Sequence, residues 1–171
     1  MTRSNLVTYA SRFGSTEEVA EAIAKTLSDG GYNVDCRPMT DTDSFDGYQA
    51  VVLGSAVNYG SWIPEAHDFV RDHHEDLAHL PLALFTVNIR NIDNDPRSEQ
   101  ERLAYLDEIR PYLNPVLEGY FAGKFTRQSA YDLLPRWATC FVPPIDLRKW
   151  DKIRAWAESL PSLLLVPSIA S

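Results

Sequence analysis

Apolar and polar positions fall in blocks along the chain, and the first two blocks set the pattern. Leu6-Val7-Thr8-Tyr9-Ala10 is an apolar run that stops at the polar stretch Ser11-Arg12-Phe13-Gly14-Ser15-Thr16. Beyond it, Val19, Ala20, Ile23, Ala24 and Leu27 recur at the three-four spacing of a helix with one buried face. Asp29-Gly30-Gly31 stops that helix. Residues 32–38 then alternate as a second, more exposed strand, and the acidic stretch 40–47 reads as a loop.

Residues 49–56 and 82–88 are continuous rather than alternating in apolar character, which marks parallel strands buried on both faces. Between them the pattern predicts a helix over 64–74, with Pro64 in its first turn and Ala66, Phe69 and Val70 inward. A polar loop over 90–98 leads to a helix expected over 97–112 and closed by Pro111 and Pro115; residues 116–122 follow as a fifth strand. Helical stretches over 128–137 and 147–160 are separated by Pro143-Pro144, and 161–171 reads as a loosely packed tail behind a domain spanning 1–160.

Strands and helices alternating at these lengths predict an α/β fold, an open parallel sheet with helices on both faces. Ligands in such sheets sit beyond the carboxyl ends of the strands, where the strand order reverses. The loops 11–16, 55–62 and 88–97 are therefore expected to meet at one edge.

Composition narrows the class. With 171 residues, 44% hydrophobic and 23% charged, the chain suits one globular domain. A net charge of −8 and a pI near 4.9 disfavour a nucleic-acid surface and suit small ligands or basic partners. Cys36 and Cys140 lie far apart and outside any metal spacing, so they read as reduced structural thiols of a cytoplasmic protein. Residues 1–4 lead directly into a core strand, with no signal peptide evident, and no apolar run is long enough to span a bilayer.

The loop 11–16 carries the first candidate chemistry. A strand feeding a helix through a short turn points backbone N–H groups outward, where they and the helix dipole attract an anion such as phosphate. Ser11, Ser15 and Thr16 add hydroxyl donors, and Gly14 lets the backbone bend close to a ligand. On its own the loop reads equally well as a plain N-cap, and it matches neither the P-loop nor the dinucleotide fingerprint. The second loop, Ser55-Ala56-Val57-Asn58-Tyr59-Gly60-Ser61-Trp62, places Tyr59 and Trp62 among small residues, a ledge suited to a planar ring. Together, phosphate turn and ledge point to a flavin mononucleotide, FMN. The histidines at 67, 73, 74 and 79 read as helix-face or surface residues, and no catalytic acid–base pair or metal set stands out.

Ser11-Arg12-Phe13-Gly14-Ser15-Thr16 resembles the [ST]-x-[ST]-G-x-T phosphate signature of the flavodoxin superfamily, with Phe13 departing at the third position. Residues 9–16, 54–60, 85–88, 119–124 and 146–157 more closely resemble the flavodoxin-domain group of the menaquinone-dependent protoporphyrinogen oxidases. The resemblance implies a flavodoxin-like three-layer fold on a five-stranded parallel sheet ordered 2-1-3-4-5, with non-covalent FMN. It implies phosphate contacts from Ser11, Gly14, Ser15 and Thr16, with Arg12 as a neighbouring cation and Phe13 replacing a hydroxyl donor. It sets Ser55, Ala56, Val57, Asn58, Tyr59, Gly60 and Trp62, with Asn88 and Arg90, beside the ring. It further implies an oxidoreductase acting on porphyrinogen with a quinone acceptor. The residues leave open two other readings: a non-enzymatic electron carrier docking on a basic redox partner, and a module that has lost FMN. A homodimer is also left open.

Overall fold

The computed structural model describes residues 3–131 and 134–164. Five strands, β1 (Ser4–Ala10), β2 (Val34–Pro38), β3 (Tyr48–Asn58), β5 (Leu82–Asn88) and β6 (Leu117–Ala122), lie parallel in the order β2-β1-β3-β5-β6. Counting the long strands alone, this is the expected 2-1-3-4-5. The order reverses between β1 and β3, so both end at the same edge: Ala10 pairs with Ser55, and Ala56 with Val87 on β5. β3 overruns its expected end and turns at Tyr59-Gly60. It returns as β4 (Ser61–Trp62), antiparallel to its own last residues.

Each face of the sheet buries one apolar cluster. On one face α1 (Ser15–Asp29) and α6 (Trp150–Leu164) cover Val7, Val52, Phe85 and Phe121 through Val19, Ile23, Ile153 and Leu160. On the other, α2 (Pro64–Leu77) and residues 105–113 cover Leu6, Val51, Leu53 and Leu84 through Ala66, Val70, Leu106 and Ile109. The β1, β3 and β5 side chains are buried on both faces, which explains their unbroken apolar runs. Edge strand β2 is half exposed, and Cys36 upon it, like Cys140, is an exposed free thiol rather than a core one.

Element ends differ from the periodic pattern where proline or a side contact intervenes. The helix expected over 97–112 ends at Ala104 as α3 (Pro96–Ala104), capped by the Asp95 carboxylate. Its continuation tightens into turns, with Tyr105, Leu106 and Asp107 each donating its N–H three residues back. The segment expected over 128–137 instead holds two short helices, α4 (Arg127–Ala130) and α5 (Arg136–Thr139). Pro135 takes the extended conformation before α5, which ends any helical continuity there. Residues 132 and 133 of that stretch lie outside the described residues.

A two-stranded ribbon, β7 (Lys124–Phe125) with β8 (Ile145–Asp146), brackets α4 and α5 and has no counterpart in the sequence reading. Because residues 145–146 are held in that ribbon, the last helix begins at Trp150 and not at 147. It also continues through Pro161 to Leu164, past the end expected at 160. Its apolar face keeps period through Ile153, Ala157, Leu160 and Leu164, all buried.

Candidate functional site

The turn between β1 and α1 is built around Gly14. Its backbone lies at φ 84, the left-handed region that a side chain disfavours, and its N–H donates to Ser11 Oγ at 3.1 Å. Gly14 is also the N-cap of α1, and no side chain caps the helix there. A helix whose cap residue has no side-chain acceptor keeps its first N–H groups for another partner. Thr16, at 1% exposure, fixes the first turn against the sheet edge.

Beside this turn opens a cleft enclosing about 650 Å³, its mouth included. Ser11, Arg12, Phe13, Ser15 and Thr16 form one wall, Ala56, Val57 and Asn58 from the end of β3 another, and Asn88 and Ile89 from the end of β5 the floor. The cleft continues into a neighbouring hollow through Val57, Asn58, Asn88 and Ile89, where Tyr59, Gly60, Arg90 and Tyr105 line it. The three loops therefore do converge on one edge of the sheet. Gly14 shapes the turn but faces an adjoining hollow with Tyr9, Glu17 and Met39.

Two sequence candidates do not belong to this cleft. Trp62 is 2% exposed, packs in the core, and donates its indole N–H to Thr86 Oγ1 at 2.9 Å. A ring held that way cannot serve as a ledge. Ser55 is fully buried; its hydroxyl donates to the Ala56 carbonyl at 2.8 Å and accepts from the Ile63 N–H at 3.3 Å, which ties β3 to the start of α2. Both were attractive in sequence because the loop appeared to begin at 55, whereas β3 continues to Asn58. Tyr59, by contrast, is 89% exposed at φ 50 beside the hollow.

A third wall was missed in the sequence. Gly123, Lys124, Phe125 and Ser129 line the cleft from the side of β7 and α4. The family-like segment 119–124 reached Gly123 and Lys124 but not Phe125 or Ser129; their chain distance from the turn hides their proximity. Ser15 Oγ accepts the Lys124 backbone N–H at 2.9 Å, which joins this wall to the turn.

An ionic cluster reinforces the joint. Glu18, in the first turn of α1, pairs with Lys124 Nζ at 2.6 Å and also with Arg148. Arg148 binds both oxygens of Asp146, at 2.8 and 2.6 Å, and its guanidinium lies 4.5 Å from the Trp150 ring centroid. The hydrogen bonds from Lys124 and then Arg148 hold the Glu18 carboxyl below the usual carboxylate range. The Arg148 contact draws Asp146 down to about 2. Both acids thus stay ionised well into acid, and the cluster with them.

No histidine lines the cleft. His67 Nε2 faces Ser61 Oγ at 3.0 Å and Glu108 at 3.7 Å, both on the same nitrogen, so the three do not form a nucleophile–base–acid relay. His73 packs on Phe45 and Phe69, and His74 Nδ1 donates to the Arg71 carbonyl. No group of acids, histidines and cysteines able to hold a metal occurs among the described residues.

The model of a family described as flavodoxin domain matches residues 6–142, from the first strand to just past α5. The chain belongs to the flavodoxin-domain family. Among curated proteins, this flavodoxin-domain chain is similar to a protoporphyrinogen IX dehydrogenase [quinone] of Leishmania major, with 30% identity over 69% of the chain and 53% of that protein. It thus spans about half the length of that relative. The Escherichia coli (strain K12) protein of the same name is 28% identical over 74% of the chain and 73% of its own length. The oxidised flavodoxin 2 of Bacillus cereus shares the fold with a TM-score of 0.56 at 22% identity, over 93% of this chain and 98% of that one. No helix among the described residues is long and apolar enough to cross a membrane.

Proposed function

We propose that this protein binds FMN in the cleft and works as a flavin oxidoreductase on a reduced, porphyrinogen-class substrate, with a quinone as electron acceptor. The observation that carries the cofactor is the uncapped N-terminus of α1 behind the left-handed Gly14, opening on a cleft at the strand-order reversal. This donor set suits a phosphate dianion. The free helix N–H groups face it, and Ser15, whose oxygen already accepts from Lys124, keeps its own O–H to give. Thr16 adds a second hydroxyl. Phe13 adds none and stacks instead under the Arg12 guanidinium, 5.6 Å from its centroid, so the site makes one phosphate bond fewer than the family signature.

Bound there, FMN would supply the electron-accepting ring, and the protein its position and polarity. The Asn58 and Asn88 side chains offer amide donors and acceptors along the cleft, and Tyr59 an exposed ring beside the hollow. The relatives' names support the porphyrinogen and quinone assignment. A carrier that meets a basic partner through an acidic face is less well supported, because the exposed Arg12 lines the cleft and the exposed Arg90 the neighbouring hollow.

Flavin content of the purified protein tests the cofactor. The expected preparation is yellow and releases FMN on denaturation. Thr16→Val should weaken FMN retention by about tenfold, the loss of one hydrogen bond to a charged group. A colourless protein that takes up no added FMN would overturn the assignment in favour of the cofactor-free module. Porphyrin fluorescence appearing on addition of protoporphyrinogen and a quinone tests the reaction; a loaded protein that yields none would be the carrier.

A further inference from the structure

Glu18, Lys124, Asp146 and Arg148 are charged residues that the proposed cofactor chemistry does not use, and of them Lys124 lines the cleft. Glu18 lies on α1 and pairs with Lys124 on β7, and Arg148 joins Glu18 to Asp146, which pairs directly across the ribbon from Lys124. One carboxylate on α1 therefore reaches β7 directly and β8 through Arg148, at the root of the excursion 126–144. The Arg148 side chain is only 6% exposed, so its partners are needed to satisfy it. Among the described residues of the excursion only Ser129, Ala130 and Thr139 are buried. α4 and α5 are four residues each, and Tyr131, Trp137 and Phe141 remain exposed at 49%, 74% and 81%.

We propose that Arg148 is a positioning residue for the cleft: by clasping Glu18 and Asp146 it clamps the base of the 126–144 excursion to the phosphate turn. The clamp sets where Phe125 and Ser129 stand as the third wall, and it rests on the reading of that cleft as an FMN site. It also has an electrostatic consequence. A carboxylate in the first turn of α1 would repel a phosphate at the same helix end, and Lys124 with Arg148 offsets that charge. Glu18 is thereby made compatible with an anion two residues away from Thr16.

The test uses the full chain as wild type, Arg148→Gln, Glu18→Gln, the double variant, and Arg148→Lys. Hydrogen exchange of amides over 126–144, recorded without added FMN, reads the clamp alone. Titration with FMN, followed by quenching of flavin fluorescence, reads its effect on the site. Exchange over 126–144 in Arg148→Gln and in Glu18→Gln should each quicken by about tenfold, and the double variant should quicken by less than the product of the two, because both lose the one Glu18–Arg148 contact. FMN affinity of Arg148→Gln should fall by about tenfold, with partial recovery in Arg148→Lys, which retains the charge and loses the bidentate fork. Unchanged exchange, or additive effects in the double variant, would overturn the clamp. A wild type that binds no FMN would refute the cofactor reading alone, since the exchange result stands without it. Should Arg148→Gln not fold, Glu18→Gln and Arg148→Lys carry the same comparison.

Discussion

The lining of the cleft falls into two parts of opposite construction. The wall from 11–16, 56–58 and 88–89 ends strands that are buried on both faces, so its position follows from a packed core. The wall from 123–129 rises out of a short ribbon and two helical turns, and polar contacts seat it: the Ser15–Lys124 bond and the charges on Glu18. Packing holds a backbone wherever apolar volume is filled, whereas a charge cluster holds it only while each partner is present. The first wall should therefore respond to volume changes in the core, and the second to single charges at its root.

The largest effect is expected from filling space behind the first wall. A Cβ at Gly54 would stand 1.9 Å from Phe85 Cζ, in a ring that is itself fully buried. Gly54→Val should therefore cost about 3 kcal/mol or more, a fall in Tm on the order of 10 °C by thermal melting. An unchanged melting temperature would mean that this wall yields to volume and that the contrast between the two is false.

Trp62→Phe comes next. The substitution removes the indole N–H from Thr86, a hydroxyl that is 0% exposed, and should cost about 2 kcal/mol in urea unfolding. FMN uptake by the folded fraction should match the wild type, because Trp62 does not line the cleft. Loss of uptake at full stability would return Trp62 to the ligand.

The same contrast explains what could be read from the chain. Leu6, Val52 and Phe85 lie in apolar runs because strands buried on both faces favour apolar side chains, so the parallel sheet and the turn at Gly14 were legible, while the strand order came from the family resemblance. Trp62 and Ser55 were misassigned because β3 extends further than its apolar run, and a residue's side of a boundary decides whether it meets core or ligand. Lys124 and Ser129 were missed for a different reason. Lys124 contacts Ser15 and Glu18, and Ser129 shares the cleft lining with the turn 11–16, all more than a hundred residues away, which periodicity does not record. Arg148 fell inside the helix expected over 147–160 and was not singled out. Only the geometry shows it 6% exposed between two carboxylates.

The smallest effect is expected at the tip of the second wall. Trp137 and Phe141 are 74% and 81% exposed, and α5, which carries Trp137, is a single turn. Neither ring belongs to either apolar cluster of the sheet. Truncating Trp137 to Ser should consequently change unfolding stability by less than about 0.5 kcal/mol, as at surface sites without buried partners. Chemical denaturation of Trp137→Ser beside Arg148→Gln makes the comparison. If the clamp governs this wall, the variant at its root should lose more stability than the variant at its tip, although it removes far less apolar surface. A larger loss at Trp137 would mean that the excursion is held by its own apolar contacts, and the division between a packed wall and a clamped one would fail.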